Sequence, residues 1–250
     1  MFQENDREWY MKKQRMIRPM FVIGFALVIG LVGFYRYGRA MWSPVLTKIR
    51  GKRTVSSVLK KLKPSLKKRI PGLTGLTSGK PLALVAIKDK MSLELWQKRK
   101  GKYHFVKAYP FTAYSGKLGP KLREGDGQIP EGIYRITFMH PNSSYYLSMK
   151  VSYPNRFDRK KGRLDGRKRL GGDIFIHGKA VTIGCIPVGD KAIEELFYII
   201  GKNGYRRTKV IIAPYDMRVK KKKLKISGIT WEKELYRKIR KALKPFKKGR

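Results

Sequence analysis

The sequence is poor in the groups that build cross-links: among 250 residues there is one cysteine, Cys185, and there are three histidines. A lone thiol forms no intramolecular disulfide, and with three scattered imidazoles it cannot assemble a Cys/His structural zinc cluster, so stability must come from packing. Acidic residues are also scarce, with 17 Asp+Glu against 59 Lys+Arg and a formal net charge of +42. That balance would suit a disordered polyanion condenser. However, 42% of the chain is hydrophobic, including 14 Tyr and 11 Phe, and such a composition demands a buried core. RNP-type aromatic motifs, zinc fingers and an identifiable helix-turn-helix are missing, so the charge supports nonspecific attraction to polyanions but no specific nucleic-acid recognition.

Charge itself is missing from one stretch. Residues 19–35, between Arg18 and Arg36, are uncharged and almost continuously apolar, for example Phe21-Val22-Ile23-Gly24-Phe25-Ala26-Leu27-Val28. At about 1.5 Å rise per residue they reach roughly 26 Å, close to a hydrocarbon core of about 30 Å if the flanking arginines snorkel. The residues that follow, Arg39-Ala40-Met41-Trp42, make a poor signal-peptidase site, so the segment is read as an uncleaved single-span anchor preceded by residues 1–18. Basic residues flank it on both sides, and the Lys/Arg bias does not orient it.

Residues 36–80 carry 13 basic and no acidic residues, with Pro44, Pro64 and Pro71, and read as a basic linker. Within it Val55, Val58, Leu59, Leu62 and Leu66 recur at helical spacing, which suits either a basic helix on an anionic surface or a solvated tether. Residues 216–250 form a basic C-terminal tail in which Trp231, Leu235, Ile239 and Leu243 lie four apart, the pattern of another amphipathic helix.

Residues 81–215 read as a mainly β domain with one or two helices. The run 82–87 is apolar, Lys88-Asp89-Lys90 is a turn, and 92–96 and 103–109 alternate apolar with polar, predicting a succession of strands that includes 111–115. Further strands are predicted near 132–139, 146–151, 173–177 and 209–213. The secure helix follows Asp190, a plausible N-cap, with Ile193, Leu196, Phe197 and Ile200 on its apolar stripe. His104 on a strand and His140 before a proline read as structural or exposed.

The chemistry concentrates around Cys185. His177 precedes it by eight residues, at the end of a predicted strand, and an imidazole beside a thiol provides the base that generates a thiolate nucleophile. Gly184 lets backbone approach a substrate carbonyl, where amides can stabilise an oxyanion or shape the loop. A buried, inert cysteine beside a glycine fits the bare pattern as well.

The sequences His177-Gly178 and Thr182-Ile183-Gly184-Cys185, together with Gly125-Asp126-Gly127-Gln128-Ile129-Pro130-Glu131-Gly132, resemble the catalytic domain of YkuD-type L,D-transpeptidases. The short interval from histidine to cysteine, with the segments 140–148 and 153–159, is more similar to the YafK-like branch. The resemblance implies a β-sandwich catalytic domain, no metal or other cofactor, and a role in cell-wall biogenesis and cell shape. It implies that Cys185 attacks the carbonyl of the stem-peptide diamino acid in peptidoglycan, forming a thioester, while His177 moves the protons. Water or an amine then resolves the thioester, giving hydrolysis or transpeptidation, and the implied partners extend to a peptidoglycan-linked lipoprotein. Thr182, Gly178 and Tyr146 are candidate substrate contacts, each with a purely structural alternative. Pro187 stands where such transpeptidases commonly have Arg or Asn, which leaves transfer and hydrolysis both open. A catalytically inactive wall-binding protein or a nonspecific polyanion-binding membrane protein is the alternative. Peptidoglycan as substrate would place the catalytic domain in the periplasm on an inner-membrane anchor, with the basic tracts near the anionic membrane surface.

Overall fold

A computed structural model describes residues 52–219 and 224–247. The anchor read at 19–35 and the linker as far as residue 51 lie outside the described residues. No helix among the described residues is long and apolar enough to cross a membrane.

The described chain opens with helix α1 (Val55–Arg69), capped by Thr54, whose side chain accepts from the Ser57 amide while Ser57 reciprocates to the Thr54 amide. A short helix α2 (Leu73–Leu76) follows, then strands β1 (Leu82–Ile87), β2 (Ser92–Arg99), β3 (Lys102–Pro110), β4 (Gly132–His140) and β5 (Ser148–Val151). Helix α3 (Arg156–Leu164), strands β6 (Phe175–His177) and β7 (Ile186–Pro187), helix α4 (Asp190–Lys202), strand β8 (Lys209–Ala213) and helix α5 (Glu232–Leu243) complete it. The strands form one sheet in the order β3-β2-β1-β8-β4-β5-β6-β7, with β1·β8 and β6·β7 parallel and the other pairs antiparallel.

The expected sandwich is therefore one sheet that curls. Strand β4 pairs β8 through residues 132–135 and β5 through residues 136–140, with a register shift between Ile136 and Phe138. A bulge there bends the ladder, so residues from both ends of the sheet, Leu84 and Val210 as well as Met149, Ile176 and Ile186, join one hydrophobic cluster. The sheet is covered on both faces. Leu82, Leu84 and Ala86 enter the first cluster, whereas Ala83, Val85 and Ile87 enter a second with Trp96, Trp231, Leu235 and Ile239. Double-sided burial explains why β1 is an unbroken apolar run, since neither side chain direction meets water.

Several expectations are corrected by this packing. Helix α1 buries Val58, Leu62 and Leu66 against the protein, so this part of the predicted linker belongs to the fold. Pro64, which cannot donate to the Lys60 carbonyl, lies on the exposed side of this helix, away from the buried stripe. The predicted C-terminal tail likewise contributes α5, whose Leu235, Tyr236, Ile239 and Leu243 are buried in the second cluster. Residues 81–215 carry two α-helices, α3 and α4, within the expected number, and the other three described helices come from the flanking segments. Residues 111–115 form a loop and not a strand, with the Thr112 amide donating to the Pro187 carbonyl. Gly189, not Asp190, caps α4, and Asp190 Oδ1 instead accepts from the Lys179 amide at 2.8 Å.

Candidate active site

The site lies where β6 and β7 run side by side. Ile176 pairs with Ile186 and His177 with Pro187, so Cys185, one residue before β7, stands beside Phe175. The Phe175 amide donates to Cys185 Sγ at 3.4 Å, which fixes that register from the side chain as well. Residues facing each other across a pair, and residues two apart along a strand, share a face. Ile176 and Ile186 point into the first hydrophobic cluster, so His177 points out of it, while Cys185, just before β7, directs its Sγ at the β6 side and donates to the Asp173 carbonyl at 3.6 Å. Cys185 thus lies beside the strand that ends at His177, two residues from it in register, about 6.6 Å along the strand direction.

His177 is almost wholly buried, at 1% exposure, and the exposed Tyr145 covers it with ring centroids 4.6 Å apart. Its Nδ1 lies 2.6 Å from the Gly178 carbonyl oxygen, which can only accept. Nδ1 therefore carries the hydrogen, and in the neutral ring Nε2 keeps a free lone pair. Burial lowers the His177 pKa below the ordinary imidazole value, and the Gly178 carbonyl offsets part of that effect. The Cys185 thiol is half-buried and its pKa is raised. Burial is the main cause, the Phe175 amide pulls the other way, and the Asp173 carboxylate and Lys121 ammonium act in opposition to each other. A neutral thiol and a neutral imidazole are the resting forms that these directions favour.

The loop from residue 178 to 184 holds the cysteine in place. Thr182 Oγ1 accepts from the Gly184 amide at 3.1 Å and donates to the Cys185 carbonyl at 2.8 Å. Thr182 is occupied in shaping the loop, and Gly184 spends its amide on that hydroxyl. Gly184 has φ +124°, and a Cβ there would stand 3.0 Å from the Gln128 carbonyl oxygen. Only glycine fits this contact, which joins the two sequence landmarks: the loop containing Asp126 abuts the loop containing Cys185. Asp126 holds its own loop by accepting from the amides of Leu122, Arg123 and Gln128 and from Lys121 Nζ. Burial would raise the Asp126 pKa, but these hydrogen bonds outweigh it and bring the pKa below the ordinary value.

Two other candidates are placed differently from the expectation. A Cβ on Gly178 would meet Asp190 Oδ1 at 2.5 Å and the Tyr145 carbonyl at 2.9 Å, so Gly178 is a close-packing position. Tyr146 is not on a strand. It has φ +75°, and its hydroxyl donates to Glu194 Oε1 on α4 at 2.5 Å, while the neighbouring Tyr145 stacks on the histidine. Nothing in the periodicity separates two adjacent tyrosines before β5; the left-handed residue that swaps their directions is a tertiary feature. Below the Asp126 loop, the fully buried Lys88 Nζ donates to the carbonyls of Lys117, Gly119 and Ile129 and to Glu131 Oε1 at 2.9 Å. The turn expected at residues 88–90 is a 3-10 helix that starts from this lysine. Among the described residues no cluster of three or more His, Cys, Asp or Glu is arranged around a metal position.

Comparison with known proteins places the chain in a family. The family model of the YkuD L,D-transpeptidase catalytic domain matches residues 81–212. The chain belongs to this family. The chain is 32% identical over 144 residues to YafK of Escherichia coli K12, and the same figures hold for YafK of strain O157:H7. The match covers 56% of this chain and 56% of YafK, so the chain spans little more than half the length of these relatives. Among solved structures, the helical cell shape determining protein Pgp2 of Campylobacter jejuni aligns with a TM-score of 0.45 and 22% identity over 60% of this chain and 51% of Pgp2. Bd1075 of Bdellovibrio bacteriovorus aligns with 0.41 and 23% over 54% of this chain and 49% of its own.

Proposed function

We propose that this L,D-transpeptidase domain modifies peptidoglycan by cysteine acyl transfer, with Cys185 as nucleophile and His177 as general acid and base. The observation that carries the reading is the pairing of β6 with β7, which puts a half-buried thiol two residues in register from an imidazole whose Nδ1–H is committed to Gly178. Nε2 takes the thiol proton as Sγ bonds to the carbonyl carbon after the stem-peptide diamino acid. The tetrahedral intermediate then collapses, its C–N bond breaks, and the departing amine takes the proton from His177, leaving a thioester on Cys185. Attack by water, deprotonated by the same Nε2, releases the shortened peptide, whereas an incoming amine gives a new amide bond. Either route restores the thiol.

Hydrolytic release is the preferred outcome, supported by Pro187, which offers no side-chain hydrogen bond two residues after the nucleophile where transpeptidases of the family commonly hold substrate. Of the sequence candidates, Thr182 and Gly178 are assigned to building the loop, and Tyr145 replaces Tyr146 as the aromatic wall beside His177. The uncharged segment 19–35 would anchor the domain to the inner membrane, with the site in the periplasm where the wall lies.

The test incubates the full chain with tetrapeptide muropeptides and with muropeptides carrying a linked lipoprotein peptide. Mass spectrometry is expected to detect a covalent adduct on Cys185, followed by loss of D-alanine or release of the linked peptide. Cys185→Ala should abolish both the adduct and turnover. Turnover that survives in Cys185→Ala, or a chain that binds these substrates without converting them, rejects the proposal.

A further inference from the structure

Helices α3 and α5 come from segments that sequence reading treats separately, and the fold brings them together on the face of the sheet opposite α1. Phe157 packs edge-on against Trp231 at 5.7 Å, Lys161 Nζ pairs with Glu234 at 2.6 Å, and Trp231 Nε1 donates to Asp165 at 2.9 Å. Between the helices and the start of β4 lies a cavity of about 320 Å³ lined by Gly132, Ile133, Asn155, Arg156, Phe157, Leu235, Lys238 and Ile239. Its walls are mainly aliphatic and its charged rim is cationic, with Arg156 and Lys238 both exposed.

The surface around it is strongly basic. The two helices together present ten basic residues and three acidic ones, Asp158, Glu232 and Glu234. Asp158 accepts from the Asn155 amide in the α3 cap and Glu234 pairs with Lys161 and Lys238, while Glu232 is partly buried with its Oε2 unpartnered. Because the apolar side of α5 is already buried in the second cluster, this helix cannot insert into a bilayer. What remains outward is a cationic surface with an apolar cleft.

We infer that this cleft binds an anionic membrane phospholipid. The phosphate sits on Arg156 and Lys238, and the glycerol and first acyl carbons lie against Ile133, Leu235 and Ile239. Charge complementarity selects the anionic headgroup, and aliphatic walls select a ligand whose charge adjoins hydrocarbon. Nucleic acid fits less well, because single-strand binding uses open aromatic faces, and here Phe157 and Trp231 cover each other while Trp231 is only 7% exposed. The inference does not depend on Cys185 chemistry, and Cys185→Ala should leave it intact.

Hydrogen–deuterium exchange on the full chain tests it, with lipid nanodiscs of phosphatidylglycerol or of phosphatidylcholine, and with phosphatidylcholine discs supplemented with inorganic phosphate. Exchange in residues 155–163 and 232–243 is expected to slow several-fold with phosphatidylglycerol alone, and about 1 M salt should reverse this by shortening the Debye length to about 3 Å. The paired variant Arg156→Gln with Lys238→Gln should lose the protection while retaining the thermal midpoint. Lys60→Gln with Lys61→Gln, equal in charge change but on α1, should keep it. Equal loss in both variants, equal protection by the two lipids, or protection by inorganic phosphate alone overturns the inference.

Discussion

Burial of His177, offset in part by the hydrogen bond from its Nδ1 to the Gly178 carbonyl, sets the direction of the pH effects at the candidate site. Protonating Nε2 removes the base, and because burial holds the His177 pKa below the ordinary value of about 6.5, that loss should begin only at lower pH. We therefore expect the acidic limb of kcat/KM for muropeptide turnover to have its midpoint below about 6.5. The thiol should behave in the opposite sense, with the pH midpoint of Cys185 alkylation by iodoacetamide above the ordinary thiol value of about 8.5. An acidic limb above 6.5 joined to a thiol midpoint below 8.5 would instead indicate a resting thiolate–imidazolium pair. At this scale the sequence singled out Cys185 and His177 as candidates by type and motif. It did not distinguish Tyr145 from Tyr146, since the ring that covers the imidazole depends on a left-handed backbone at residue 146.

Helix α1 shows how an element can be legible while its partner is not. The three-to-four spacing of Val58, Leu62 and Leu66 marks an amphipathic helix, and the same apolar stripe would suit a lipid surface or a protein core. In the folded chain it faces the protein, and Arg69 adds an ion pair to Glu194 of α4 at 2.8 Å. Leu66 is 0% exposed, so Leu66→Ala should destabilise the protein by about 2–5 kcal/mol, read as a lower midpoint in urea with an unchanged slope. A surface-lying helix would give almost no change. Strand β7 is the reverse case. Two residues, Ile186 and Pro187, carry no periodic signal, yet their parallel pairing with β6 is what brings the cysteine beside the histidine's strand.

Across the whole molecule, a buried polar network links the C-terminal helix to the loop beneath the candidate site. Lys88 and Glu131 are both fully buried, and Glu131 Oε1 also accepts from the Gly119 amide while Oε2 accepts from the Tyr236 hydroxyl on α5. Tyr236→Phe leaves Glu131 Oε2 without this donor at a cost of about 1–3 kcal/mol. The expected result is a lower thermal midpoint accompanied by faster amide exchange in residues 117–131, the segment whose carbonyls hold Lys88. If α5 were a detached basic tail, neither observable would move.

The sequence by itself determined the candidate catalytic residues and the strand-rich centre: the single thiol, the histidine eight residues before it, the glycine-flanked loops and the apolar run of β1 each follow from residue type and short-range spacing. Tertiary structure alone decided which surfaces the amphipathic helices cover, that the sandwich is one curled sheet, and that Gly184 rests on the Gln128 carbonyl of a loop more than fifty residues earlier. The physical reason is that periodicity records how much apolar surface an element must bury. It does not record which other surface will bury it, because that is settled by long-range pairing and by close backbone contacts.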